Sequence, residues 1–154
     1  MSRLFVSKRK LRGRGPNEFR VVAITKYKQQ GNCHELAVAL KVAELGGTVL
    51  WPYGDGQAYD LVADFNGKIS RIQVKGTCQI DKNGSTKVNL QKGSRKHSPY
   101  NIRDCDLVVA VTPLGNFVIP VKVLRTYRLV AWPVGVKKKL PVYENFKEAW
   151  HLLK

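Results

Sequence analysis

The chain has 154 residues, 44% of them hydrophobic, enough for one packed domain and too few for two of ordinary size. Its 27 Lys and Arg against 11 Asp and Glu give a formal charge of +16 at pH 7, a balance that favours a polyanionic partner. No apolar run approaches the roughly 18–20 residues of a membrane span, and no apolar segment follows the basic N-terminus as in a secretion signal, so nucleic acid, in the cytoplasm at the nucleoid, is the expected partner.

Residues 1–25 read as a basic N-terminal arm, with 26–154 as the folded domain. The arm carries Arg3, Lys8, Arg9, Lys10, Arg12 and Arg14 and is closed by Gly13, Gly15 and Pro16. Residues 1–30 hold nine basic side chains and one acid, Glu18. Such a segment is expected to be flexible and to order on a phosphate backbone. Phe19–Ile24 is a short apolar stretch of unassigned type.

Asn32 is a candidate N-cap for a helix over Cys33–Leu45. Leu36, Ala39, Leu40, Val42 and Ala43 recur at helical steps, and Gly46-Gly47 stops them. Thr48–Trp51 predicts a strand ended by Pro52, followed by a Gly-rich turn over Tyr53–Gln57. Tyr59–Phe65 and Lys68–Cys78 predict two strands joined by an Asn66-Gly67 hairpin. Ile69, Ile72 and Val74 are the apolar members of the latter. A turn at Asp81–Gly84 leads to a fourth strand, Lys87–Gln91. Lys92–Asp104 is polar and basic and predicts a surface loop, with Lys92, Arg95, Lys96 and Arg103 as candidate phosphate contacts.

Asp106–Thr112 is a strongly apolar strand. Pro113–Asn116 turns it onto Phe117–Val121, and Arg128–Trp132 suggests one more strand. Tyr143–Leu153 predicts a short helix that buries Phe146, Trp150 and Leu153. The order points to one sheet with flanking helices. Cys33, Cys78 and Cys105 lack any C-x2-C spacing, so a zinc knuckle is not expected. His34 and His97 read as surface groups, Asp55 as a turn former or a site acid, and Asp64 as lying beyond the site.

Three segments could carry chemistry together. Glu35 lies on the helical face of Val38, Ala39 and Val42. Strand alternation places Gln73 and Lys75 on one face and Ile72 and Val74 on the other. The Asn66-Gly67 hairpin can bring Asp60 near Lys75. Two carboxylates with one or two neutral oxygens suit a hard cation such as Mg2+, which neutralises charge on a phosphate and acidifies bound water. Asp60 and Glu35 supply the charges. Gln73 or the Val74 backbone carbonyl could supply neutral oxygen. Lys75 can orient the attacking water or stabilise phosphate charge.

The run Gly31-Asn32-x-x-Glu35, Gly47-x-Val49, Pro52, Gly54-Asp55, Tyr59-Asp60-Leu61-Val62, Gly67-Lys68 and Arg71-Ile72-Gln73-Val74-Lys75 resembles the PD-(D/E)XK nuclease superfamily. It is most similar to the group I intron-encoded homing endonucleases. Tyr100–Val111 and Phe117-Val118-Ile119-Pro120 resemble the same branch. The likeness spans about residues 26–153. It implies an α/β restriction-endonuclease-like core, a mixed central β-sheet flanked by helices. It also implies Mg2+-dependent cleavage of double-stranded DNA by oligomers, with Mn2+ as a substitute. The family's helix glutamate falls on Glu35, its metal-binding aspartate on Asp60, and its acid-x-Lys element on Gln73-x-Lys75. Gln73 departs from the usual Glu or Asp, a departure the intron-encoded branch tolerates.

Two other readings share this core: a structure-selective Holliday junction resolvase, and a non-catalytic nucleic-acid-binding protein. Cutting both strands in one encounter needs two active sites, so a homodimer or homotetramer is expected, with apolar surface from the strands after residue 106.

Overall fold

The computed structural model describes residues 26–54, 56–93, 98–136 and 142–154. The basic arm, Asp55, Arg95 and Lys96 fall outside them, as does His97. Helix α1 spans Lys26–Glu44 and is followed by strand β1, Thr48–Leu50. β2 is Leu61–Phe65, β3 is Lys68–Gly76, β7 is Leu107–Thr112 and β8 is Gly115–Pro120. These five strands form one sheet in the order β1-β2-β3-β7-β8. The β3–β7 pair is parallel and the other pairs are antiparallel. The architecture is therefore α/β with a mixed central sheet.

The helix begins earlier than the sequence suggests. Gly31 and Asn32 lie within it, so Asn32 is not the cap. The cost of one interior glycine, about 1 kcal/mol, is small beside tertiary packing. The end is as expected. Gly46 takes a positive φ of 86°, the Gly47 amide donates to Val42 O at 3.0 Å, and the Gly46 amide donates to Ala43 O at 2.9 Å. That pair of bonds satisfies the last carbonyls. The buried face carries Val38 and Val42, whereas Leu36 and Leu40 are exposed. The leucines share the helical period, but the buried stripe is the one expected to carry Glu35, with Val38, Ala39 and Val42.

At the β2–β3 turn, Asn66 and Gly67 both have positive φ, 55° and 89°, which matches the twist of a two-residue hairpin. β3 occupies the middle of the sheet, and both of its faces are covered. Ile72, Val74, Leu61, Ala63, Leu107, Val109 and Val118 pack with α1, Trp150 and Leu153. Val108, Ala110, Phe117 and Ile119 pack on the opposite side with Tyr100, Leu129 and Tyr143. Ile69, near the start of β3, is exposed and lies outside this core.

The opposite side of the sheet is covered by strands rather than a helix. β4, Thr86–Asn89, pairs with β9, Arg128–Ala131, in a separate two-stranded sheet. The fourth strand therefore does not extend the first three. Residues Lys92–Asp104 hold more structure than a plain loop. β5, Gln91–Lys92, pairs with β6, Ser98–Pro99, and Tyr100 is buried.

The C-terminal segment is two 3-10 turns, Glu144–Phe146 and Trp150–Leu153, not one helix. Glu148 interrupts them with φ 50°. Its amide donates to Asn116 O at 2.7 Å, and its carboxylate accepts from Asn116 N and Trp150 Nε1, each at 2.7 Å. The segment is thereby tied along β8 and covers part of an edge strand. Trp150 and Leu153 are buried as expected, and Phe146 is partly buried. The apolar residues of β7 and β8 lie in the core, so they do not offer the free surface expected for oligomer contacts. Among the described residues, no helix is long and apolar enough to cross a membrane.

Candidate active site

A cleft of about 350 Å³ opens where α1 passes the end of β3 and the chain enters β2. Glu35, Asp60, Gln73, Val74 and Lys75 line it together. Asp60 precedes β2, and its amide donates to Ile72 O at 2.9 Å, which sets its side chain against β3. The Val74 amide donates to Asp60 Oδ2 at 2.6 Å. The Gln73 carboxamide is buried and donates through Nε2 to Asp60 Oδ2 and, at 3.2 Å, to Val74 O. One NH2 group thus bridges the Asp60 carboxylate and the Val74 carbonyl.

A carboxylate oxygen and a backbone carbonyl face one electropositive donor. A small hard cation would be drawn by the same two oxygens, with Gln73 presenting Oε1 after an amide turn. Among the described residues there is no cluster of three or more His, Cys, Asp or Glu. The acidic part of the site is Asp60 with Glu35, and the other candidate donors are neutral oxygens. The set suits Mg2+ or Mn2+ better than softer metals.

Burial pushes the Glu35 carboxyl above its ordinary range, and the neighbouring Asp60 charge adds to the rise. Burial also raises Asp60, partly offset by the Val74 amide, the Lys75 charge and the Gln73 side chain. The Asp60 charge thus acts against ionisation of a partly buried Glu35, a repulsion that a bound cation would relieve.

Lys75 is placed by a residue that the sequence reading did not assign to the site. Its Nζ lies over the ring of Tyr100, 5.5 Å from the centroid, a cation–π arrangement. Burial raises the Tyr100 pKa, with Asp60 contributing next, so the phenol stays neutral. Arg71 fixes the segment just after Tyr100. Its Nη2 donates to Asp106 Oδ1 at 2.9 Å and to Ile102 O at 2.8 Å, and its Nη1 donates to Arg103 O at 3.0 Å. An isolated tyrosine far along the chain gives no local signal of such a role.

His34 also belongs to the cleft, not to the open surface. A Cβ on Gly76 would come within 2.4 Å of the imidazole Cδ2, so the ring lies against bare backbone of β3. Burial lowers its pKa, which favours the neutral ring. Lys92 is otherwise engaged: its Nζ lies 2.8 and 2.7 Å from the two Asp104 oxygens. Its charge is therefore partly answered within the protein, unlike that of a free phosphate contact. Asp64 accepts the Gly67 amide at 2.7 Å and serves the hairpin.

The fold is that of the restriction-endonuclease-like nucleases. The sequence matches the PD-(D/E)XK endonuclease family over residues 25–138, and the chain belongs to that family. It is similar to the structure of a bacterial homing endonuclease, I-Ssp6803I, with a TM-score of 0.74 and 28% identity, covering 84% of this chain and 93% of that one. It is also 31% identical over 81 residues to Protein 5.3 of Escherichia phage T7, covering 53% of this chain and 69% of the relative.

Proposed function

We propose that this nuclease is a Mg2+-dependent endonuclease that hydrolyses phosphodiester bonds of double-stranded DNA, in the manner of a homing endonuclease. The observation that carries the reading is the convergence of Asp60, the Val74 carbonyl and Gln73 in one cleft with Glu35 and Lys75. Glu35, Asp60, Gln73 and the Val74 carbonyl would hold the cation. When bound, Mg2+ supplies charge neutralisation at the phosphate and a more acidic water.

Lys75 directs its ammonium at the phosphate or the attacking water, steadied by the Tyr100 ring. The +16 charge supports a polyanionic substrate. Arm residues Lys8, Arg9, Lys10, Arg12 and Arg14, with Arg95 and Lys96, would grip the DNA backbone. Cutting two strands calls for a homodimer or homotetramer acting at the nucleoid.

The test is cleavage in Mg2+ of long genomic duplex and of a synthetic four-way junction, by wild type and Lys75→Ala. Discrete duplex fragments made by wild type and lost in the variant support the reading. Cutting confined to the junction replaces it with a resolvase. Tight Mg2+-independent binding to both DNAs, with neither cut, favours the non-catalytic nucleic-acid-binding reading.

A further inference from the structure

A second cavity, of about 340 Å³, adjoins the catalytic cleft. Asn32, Trp51, Pro52, Gln57 and Tyr59 are among its lining residues. It shares only Glu35 and Asp60 with the cleft that holds His34, Gln73 and Lys75. The two carboxylates therefore form the ridge between two chambers. Apart from these two, none of the residues assigned to the cation lines the second chamber.

Trp51 directly follows β1, and Pro52 restricts the backbone beyond it. The indole is 50% exposed, and Tyr53, just past Pro52, is fully exposed. What sets Trp51 apart from the exposed Tyr53 ring is that it lines a cavity beside the carboxylates, and tryptophan is a preferred platform for flat ligands. A phosphodiester on the Glu35–Asp60 ridge carries a nucleoside on each side. One directed to the second chamber would enter a cavity lined by the Trp51 indole and by the amides of Asn32 and Gln57. The sugar-phosphate has no flat apolar face to offer. A nucleobase has both such a face and an edge of donors and acceptors, which amides can match.

We propose that this chamber receives one unpaired or extruded nucleobase beside the scissile phosphate, stacked on Trp51. A base still inside a duplex has no free face, so the DNA must be opened or kinked at the cut. The proposal rests on the endonuclease reading and deepens it by naming a distorted strand as the preferred substrate.

The test uses two short duplexes of one sequence, with a 2-aminopurine either in a single-nucleotide bulge or paired. Binding is followed by anisotropy in Ca2+, and stacking by quenching of the 2-aminopurine. The bulged duplex is expected to bind about tenfold tighter, the scale of one base stacked on an aromatic ring. Trp51→Ala should erase both the preference and the quenching, while Trp51→Phe should keep most of each. Thermal melting confirms that both variants fold.

Equal binding of the two duplexes, or a preference that survives Trp51→Ala, overturns the proposal. So does a Trp51→Ala variant that changes the oligomeric state and leaves DNA preference intact, since the indole would then serve a protein interface. Each of these results leaves Lys75-dependent cleavage to judge the endonuclease reading separately.

Discussion

Gln73→Glu tests the centre of the site. Gln73 donates one NH2 group to two acceptors, Asp60 Oδ2 and Val74 O. Glutamate removes both donated bonds and sets a third carboxylate beside Asp60. Two like charges at about 4 Å repel by about 4 kcal/mol at an effective dielectric of 20. Losing a buried hydrogen bond adds on the order of 1–3 kcal/mol. Uptake of a proton by the new pair limits the sum, so a net loss of about 3 kcal/mol is expected above neutral pH.

For a domain of this size, that is roughly 6–12 °C in Tm. The sign reverses with cation, because the third carboxylate adds a charged ligand. Thermal melts with EDTA and with Mg2+ should show a large drop without metal and a larger Mg2+-induced rise than wild type. If the variant melts like wild type in EDTA, the amide is not bridging Asp60 and Val74. If Mg2+ protects both proteins equally, residue 73 is not beside the cation.

Two further predictions address the carboxylates and the lysine. Glu35 and Asp60 both have folded pKa values raised by burial. A carboxyl raised on folding contributes most stability below its unfolded pKa and loses that contribution as pH rises through the folded one. Asp60→Asn should therefore raise the Tm of the metal-free protein by a few degrees at pH 8 and not at pH 4, and Mg2+ protection of wild type should fade on acidification while still above the ordinary carboxylate range. A lower Tm for Asp60→Asn in EDTA at pH 8 would refute this. At Tyr100, progressively fluorinated phenylalanines weaken the ring face with little change of shape. Phenylalanine should keep the cleavage rate of wild type, and kcat should fall stepwise with fluorination at constant Mg2+ affinity. A flat series would reduce Tyr100 to a packing residue.

What the sequence displayed about this protein depended on how local each cause was. Asp60, Gln73 and Lys75 are joined by one hairpin whose Asn66-Gly67 turn is written in two residues, so their meeting could be read from strand parity alone. The glycine stop of α1 was equally local. The exposed side of that helix was not. Leu36 and Leu40 fit the helical period as well as Val38 and Val42 do, and only the position of the sheet decides between the two stripes.

The partner of β4 is equally non-local. The strand's alternation fits any antiparallel partner, and β9, distant in the chain, is the one that forms. The C-terminus is fixed from a distance too. Tyr143–Leu153 has the apolar spacing of a helix, but the bonds from Glu148 to Asn116 and Trp150 hold the chain along β8. For the same cause the sequence leaves Tyr100 unassigned and reads His34 as a surface group. Arg71 holds the segment after Tyr100, whose ring meets Lys75, and Gly76, by lacking a Cβ, leaves room for the imidazole in the cleft.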